Sequence, residues 1–358
     1  MEQIKTEGIK YAGSKLKLIP HILEMSSELS GVNSVLDGFS GSTRVSQAFA
    51  QKGCQVMAND ISAWSEVFGN CYLKTSSSKS VLKEIIEHLN HLNPVDGWFT
   101  AVYGGDEQDT KKPFQRKNTQ KLDAIRDEID RLDLNIEDKS VLLTSLILAL
   151  DKVDNTLGHY AAYLSKWSAR SYKNLELKLP YRIELLPECQ VIRDDIFNTV
   201  GKYSFDLAYF DPPYGSNNEK MPPSRVRYAS YYHIWTTIIQ NDKPEIFGKA
   251  NRRTDTRDNF TGSVFEEFRK NKNGEFKAMD ALRQLVKKTK ARYLMLSYSS
   301  GGRATKEQLI DIIQENGVLL KVKKIDFKKN VMSYLRSTNE WAANDDRHLE
   351  YIFLMEKK

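Results

Sequence analysis

Short apolar runs, each closing on a polar or glycine-bearing tip, recur along the chain at residues 32–36, 55–58, 190–192, 205–210 and 293–297. Their length and lack of alternation predict strands buried on both faces of a mostly parallel sheet. Between and beyond them, apolar residues spaced three and four apart predict helices over 15–30, after residue 44, and over 278–290 and 304–316. Two further runs, 318–322 and 350–355, predict strands that finish the sheet as an antiparallel pair. The rhythm stops between residues 71 and 187, where the pattern predicts helices near 80–92, 121–132 and 140–150 and a polar stretch over 104–121. More than a hundred residues between the second and third strands far exceeds an ordinary crossover, so this region is predicted to be an inserted, mainly helical lobe. The expected division is 1–75 and 188–358 for the sheet domain, with 76–187 as the insertion.

Residues 205–210 lead directly into Asp211-Pro212-Pro213-Tyr214. Two prolines cannot continue a sheet ladder, so the chain must leave at the carboxyl edge, where open α/β sheets place ligands. A corner built this way presents an acceptor carboxylate, an acceptor carbonyl and a flat ring. Such a set suits a planar group with an exocyclic amine: two acceptors for two N–H bonds, and Tyr214 to stack on the face.

Other strand tips carry complementary chemistry. The first strand ends in Asp37-Gly38-Phe39-Ser40-Gly41-Ser42, whose glycines permit a tight turn close to a ligand, and the second ends in Asn59-Asp60. A glycine loop followed by an acid at the next strand tip points to a nucleoside-containing cofactor with its ribose on Asp60. The third strand ends in Asp194-Asp195-Ile196-Phe197. Asp195 is preferred as the acceptor for an adenine amino group; for Asp194, helix capping or pairing with Arg193 is the expectation. Near the start, Tyr11-Ala12-Gly13-Ser14-Lys15 offers a small-residue turn and an ammonium suited to an anion such as a carboxylate, or simply a surface turn capping a helix.

Composition narrows the picture only modestly. Lys+Arg of 53 against Asp+Glu of 47 gives +6, compatible with a polyanionic partner but shared by many enzymes. Cys54, Cys71 and Cys189 lack paired spacing and are expected to be free buried thiols, and no zinc spacing or phosphate-binding P-loop occurs. The apolar run at 141–150 is too short to span a membrane. A cytoplasmic protein is expected. Basic and aromatic residues mix at Trp98, Phe99, Tyr103, Lys111, Lys112, Phe114, Arg116 and Lys117, and again over 155–173. That mixture fits nucleic-acid contact, or aromatics packing the lobe beneath solvated charges.

In order and content these motifs resemble the Dam-like (D12, alpha-group) adenine-N6 DNA methyltransferases. Tyr11 to Lys15 is similar to the opening motif, Asp37 to Ser42 to the cofactor glycine loop, Asn59-Asp60 to the ribose acid, and Asp211 to Tyr214 to the catalytic motif. Tyr231-Tyr232-His233 and the closing Glu350 to Leu354 resemble weaker features. The sequence departs in placing Ser42 where many relatives carry glycine; a small residue is expected to fit.

The resemblance implies a Rossmann-like fold that uses S-adenosylmethionine, with a target-recognition lobe inserted before the third strand. It implies cofactor contacts at Tyr11, Lys15, Asp37, Phe39, Gly41, Ser42, Asp60, Asp195, Phe197 and Asp211, and catalytic roles for Asp211, Pro212 and Tyr214, with no metal. Double-stranded DNA is the implied partner. A cognate restriction endonuclease acting on the same site, a monomer or weak dimer, and a bacterial or phage-encoded protein associated with the nucleoid are further expectations. Rival readings are an N4-cytosine DNA methyltransferase, an RNA or protein amine methyltransferase, and a non-catalytic DNA-binding module.

Overall fold

The computed structural model describes residues 4–10, 13–74, 76–109, 111–183, 187–215, 228–257, 262–327 and 348–358. The fold is mixed α/β with a seven-stranded, mostly parallel sheet, as the apolar runs predict. The strands are β1 (Ser34–Asp37), β2 (Gln55–Asp60), β3 (Gln190–Arg193), β4 (Ser204–Phe210), β5 (Lys290–Ser299), β6 (Gly317–Phe327) and β7 (His348–Lys357). The chain divides into two compact units, one made of residues 1–20, 40–194 and 229–261, the other of 21–39, 195–228 and 262–358.

The second unit holds five strands in the order β6-β7-β5-β4-β1. β4 lies between β1 and β5 and runs parallel to both, with Tyr209 opposite Asp37 on one side and Met295 on the other. Leu207 to Phe210 are buried, which is why they are apolar without alternation. Register is pinned at the amino end, where the Asp206 carboxylate accepts from the backbone N–H groups of Asn33 (2.9 Å) and Ser34 (2.8 Å) and from the Ser34 hydroxyl. β7 is antiparallel to both β5 and β6, so the closing pair forms as expected. That direction matters: β4 and β5 end at the edge where β7 begins. Glu350 therefore faces Ser299, the last residue of β5. A capping box between Thr305 and Gln308 starts the Lys306–Asn316 helix.

In the first unit, β2 and β3 pair in parallel, with Asp60 opposite Arg193. The helices Lys79–His91, Trp98–Tyr103, Arg116–Arg131 and Ile136–Leu150 lie within residues 76–187. Ile136–Leu150 is buried on nearly all sides from Ser140 onward and packs on Ala63–Leu73, which accounts for an apolar run that spans no membrane. No described helix is long and apolar enough to cross one. The short Trp98–Tyr103 helix has no cap of its own; the buried Asp123 carboxylate accepts from the N–H groups of Gly97, Phe99 and Thr100 instead. Residues 229–261 share this unit. The buried Arg126 donates to the carbonyls of Ile238 (2.6 Å) and Ile239 (3.0 Å), the last turn of the His233–Gln240 helix.

Two local expectations change. Lys15 does not open a helix: residues 16–18 form a turn over its carbonyl, and the helix runs Ile19–Ser27. The polar run 251–259 reads from the sequence as a surface loop, but Arg252–Arg253 within it pairs with Ile246–Phe247, and Arg253 is buried against Asp242 (2.7 Å) and Asp255 (2.8 Å). Residues 258 and 259 lie outside the described residues, as do 328–347 of the hydrophilic span 328–348, which reads from the sequence as a long loop. All three cysteines are buried free thiols.

Candidate active site

In the first unit, the chain turns sharply after β1. Gly41 has φ 48° and Thr43 φ 58°, both in the left-handed region, on either side of Ser42. Only glycine adopts this conformation at little cost, so the turn needs Gly41, while Ser42 sits between the two as a small, buried side chain. Sequence reasoning missed Thr43. A β-branched residue at positive φ stores roughly 1–3 kcal/mol, held here by its hydroxyl donating to the Ser42 carbonyl (2.8 Å) and accepting from Gln47 (3.1 Å). The Asp60 carboxylate receives the Gly41 N–H on one oxygen (2.9 Å) and the Ser62 N–H on the other (2.8 Å). Burial raises its pKa, and these backbone donors oppose the shift. The glycine loop and the second-strand acid are thus joined directly. Lys15, also in this unit, is buried, and its carbonyl accepts the Leu18 N–H at 2.7 Å. Tyr11 lies outside the described residues.

The second unit brings together Asp37, Phe39, Asp195, Phe197, Asp211, Pro212 and Tyr214. Asp37 is buried beside Tyr209, and Gly38 donates to the Tyr209 carbonyl at 3.0 Å. A Cβ on Gly38 would lie 2.5 Å from the Phe210 ring, so close approach rather than a left-handed turn requires glycine there. Phe39 packs edge-on against Phe210 (centroids 6.2 Å apart) and Phe265 (5.2 Å), and Phe265 stacks on Phe197 (5.7 Å, 14°). An aromatic file therefore links Phe197 to the residue before Asp211. Phe265, buried within a polar stretch, carried no signal in the sequence. The helix-capping acid is Asp195, not Asp194: its Oδ1 accepts the Phe197 N–H at 2.8 Å. Arg193 reaches Glu66 (3.9 Å) and the Ile61 carbonyl (3.3 Å).

Beyond β4, the Tyr214 hydroxyl donates to Asp211 and lies 3.5 Å from a Glu350 oxygen. Burial and the two carboxylates push the phenol pKa well above its ordinary value, so Tyr214 is a protonated donor. The Tyr214 ring packs on Tyr298 (4.7 Å), and its carbonyl accepts from Arg303 N–H (3.0 Å) and the Tyr298 hydroxyl (3.4 Å). Gly215, at φ 62°, ends the described corner.

Most of the basic and aromatic residues in the lobe have structural partners. Phe99, Tyr103 and Phe114 are buried, Lys117 donates to Tyr172 and Asn174, Arg116 pairs with Asp96, and His159 stacks on Tyr231 at 4.6 Å. Burial lowers the His159 pKa. Packing explains these residues. Among the described residues, no cluster of His, Cys, Asp and Glu could hold a metal ion.

Residues 11–300 match the D12 class N6 adenine-specific DNA methyltransferases, and the chain belongs to that family. It is 28% identical to modification methylase StsI of Streptococcus sanguinis over 90% of this chain and 48% of that protein. It is 25% identical to type II methyltransferase M.FokI of Planomicrobium okeanokoites (98% of this chain, 53% of that one). The chain thus spans about half the length of these relatives. Against type II methyltransferase M.NlaIII of Neisseria lactamica, identity is 25% over 98% of this chain and 99% of the other.

Proposed function

We propose that the protein transfers a methyl group from S-adenosylmethionine to the N6 amino group of adenine in double-stranded DNA. The observation that carries this reading is the Asp211–Tyr214 corner at the carboxyl end of β4, in a chain of this family. When bound, S-adenosylmethionine supplies an electrophilic methyl group on a cationic sulfonium, a good leaving group. The residues fit such a cofactor: each Asp60 oxygen that takes one backbone N–H keeps lone-pair capacity for a ribose hydroxyl. Lys15 and the turn from Tyr11 hold the methionine end, Asp37, Phe39, Gly41 and Ser42 form the loop against the cofactor, and Asp195 and Phe197 hold its adenine.

The target adenine leaves the duplex to reach the corner, since its amine is otherwise inaccessible in line. That amine is a poor nucleophile because its lone pair is delocalised into the ring. Asp211 and the Pro212 carbonyl would accept its two hydrogens, favouring a tetrahedral nitrogen with an available lone pair, while Tyr214 would stack on the base. Transfer would release the sulfonium's neutral thioether, and the displaced amine proton would pass to Asp211 or to solvent. A restriction endonuclease of the same specificity is the proposed partner, in the cytoplasm of a bacterium or a phage-infected cell, with the protein acting as a monomer or weak dimer.

Sequencing that maps modified bases in DNA exposed to the protein and to its Asp211→Ala variant tests this. N6-methyladenine at a defined motif, absent with the variant, is expected. N4-methylcytosine, methylated RNA or protein instead of DNA, or near-normal methylation by the variant would overturn it.

A further inference from the structure

We propose that Glu350 is a positioning residue that takes over the Tyr214 hydroxyl when Asp211 receives the target amine. This rests on the corner's role proposed above and adds a residue to it. In the structure the Tyr214 hydroxyl donates to Asp211. A phenol has one proton, and it occupies a lone-pair site on Asp211 Oδ1; the carboxylate keeps further sites, so the hydroxyl competes with the amine where the amine approaches that same oxygen. A second acceptor is within reach: a Glu350 oxygen lies 3.5 Å from the same hydroxyl. The ring is held independently of either carboxylate, packed on Tyr298 with the Tyr214 carbonyl fixed by Arg303 N–H and the Tyr298 hydroxyl. Transferring the hydrogen bond thus needs rotation about the C–O bond and a small shift, leaving the stacking face in place. Topology delivers Glu350: β7 runs antiparallel to β5 and starts at the edge where β4 ends. Without an alternative acceptor, the hydroxyl stays on Asp211 Oδ1 and crowds an amine that approaches that oxygen.

A double-mutant cycle tests this, using single-turnover methyl transfer to duplex DNA at saturating cofactor in Glu350→Ala, Glu350→Gln, Tyr214→Phe and the Glu350→Ala/Tyr214→Phe pair. Glu350→Ala should slow the step about tenfold, the scale of one hydrogen bond to a charged acceptor. Glu350→Gln, whose amide oxygen still accepts, should stay within about threefold of wild type. In the Tyr214→Phe background Glu350→Ala should lose its effect, since no hydroxyl remains to be taken. An equal slowing by Glu350→Ala in both backgrounds, or none in wild type, would overturn the inference. Thermal unfolding of each variant separates a folding defect from a kinetic one, and Glu350→Gln serves if Glu350→Ala does not fold: a tenfold loss there that persists in the Tyr214→Phe background is equally contrary. If Asp211→Ala abolishes transfer while the cycle is additive, only this inference fails; if Asp211→Ala keeps transfer, the broader reading fails.

Discussion

Asp60 and Asp211 each stand at a strand tip and each carry a carboxylate proposed for a ligand, and the donors described at the two differ in kind. Backbone N–H groups of Gly41 and Ser62 grip the two oxygens of Asp60. Main-chain donors cannot rotate away, so that carboxylate is fixed before any ligand arrives. Asp211 is met by a side-chain hydroxyl, whose donor turns freely about one bond. A rigid acid suits a cofactor that is the same in every cycle; an exchangeable one suits a base that must enter and leave.

The comparison breaks most visibly at Tyr214. Tyr214→Ala removes both the stacking face and the donor, and should slow methyl transfer by about one to three orders of magnitude. A steady-state methyl-transfer assay reads the loss, and near-normal turnover would deny Tyr214 a role in the corner. On the rigid side, Gly41→Ala forces a side chain into the left-handed region at roughly 1–2 kcal/mol. Cofactor affinity should then fall by about tenfold with little change in the transfer step; calorimetric titration of S-adenosylmethionine checks it. The smallest effect concerns Asp151, whose carboxylate accepts the Lys10 N–H at 3.0 Å. Burial is the main cause that raises its pKa to about 6, with the Lys10 ammonium opposing. Because the folded value exceeds the ordinary 3.8, its contribution to stability is present at low pH and lost as pH rises through about 6. Relative to Asp151→Asn, wild type should therefore lose about 1 kcal/mol between pH 5 and pH 7. Denaturant unfolding at the two pH values measures it; equal slopes would contradict the burial argument.

Strands were legible because burial on both faces leaves a continuous apolar run, as at Leu207 to Phe210, and because Pro212 and Pro213 mark where the chain must leave the sheet. The loop geometry was legible for the same local reasons: Gly41 marks the sharp turn and Asp60 ends a strand. What depended on distant partners was not. Arg116–Arg131 begins five residues before its expected start, because its first turn is charged and Gln115 offers no side-chain cap. Arg253 stands in a polar run where nothing local marks a buried residue, yet it is buried in ion pairs with Asp242 and Asp255. The capping role expected of Asp194 falls one residue later, on Asp195, a shift that apolar periodicity does not resolve. The approach of Glu350 to Tyr214 links positions 136 residues apart and emerges only when an antiparallel strand returns to the same edge.

A side-by-side measurement of S-adenosylmethionine binding and single-turnover transfer in Asp60→Ala and Asp211→Ala tests the division of labour most directly. Asp60→Ala should weaken cofactor binding by about 10- to 100-fold and keep transfer at saturating cofactor. Asp211→Ala should bind cofactor and lose transfer by at least about 100-fold. Loss of the same step in both variants would contradict the account.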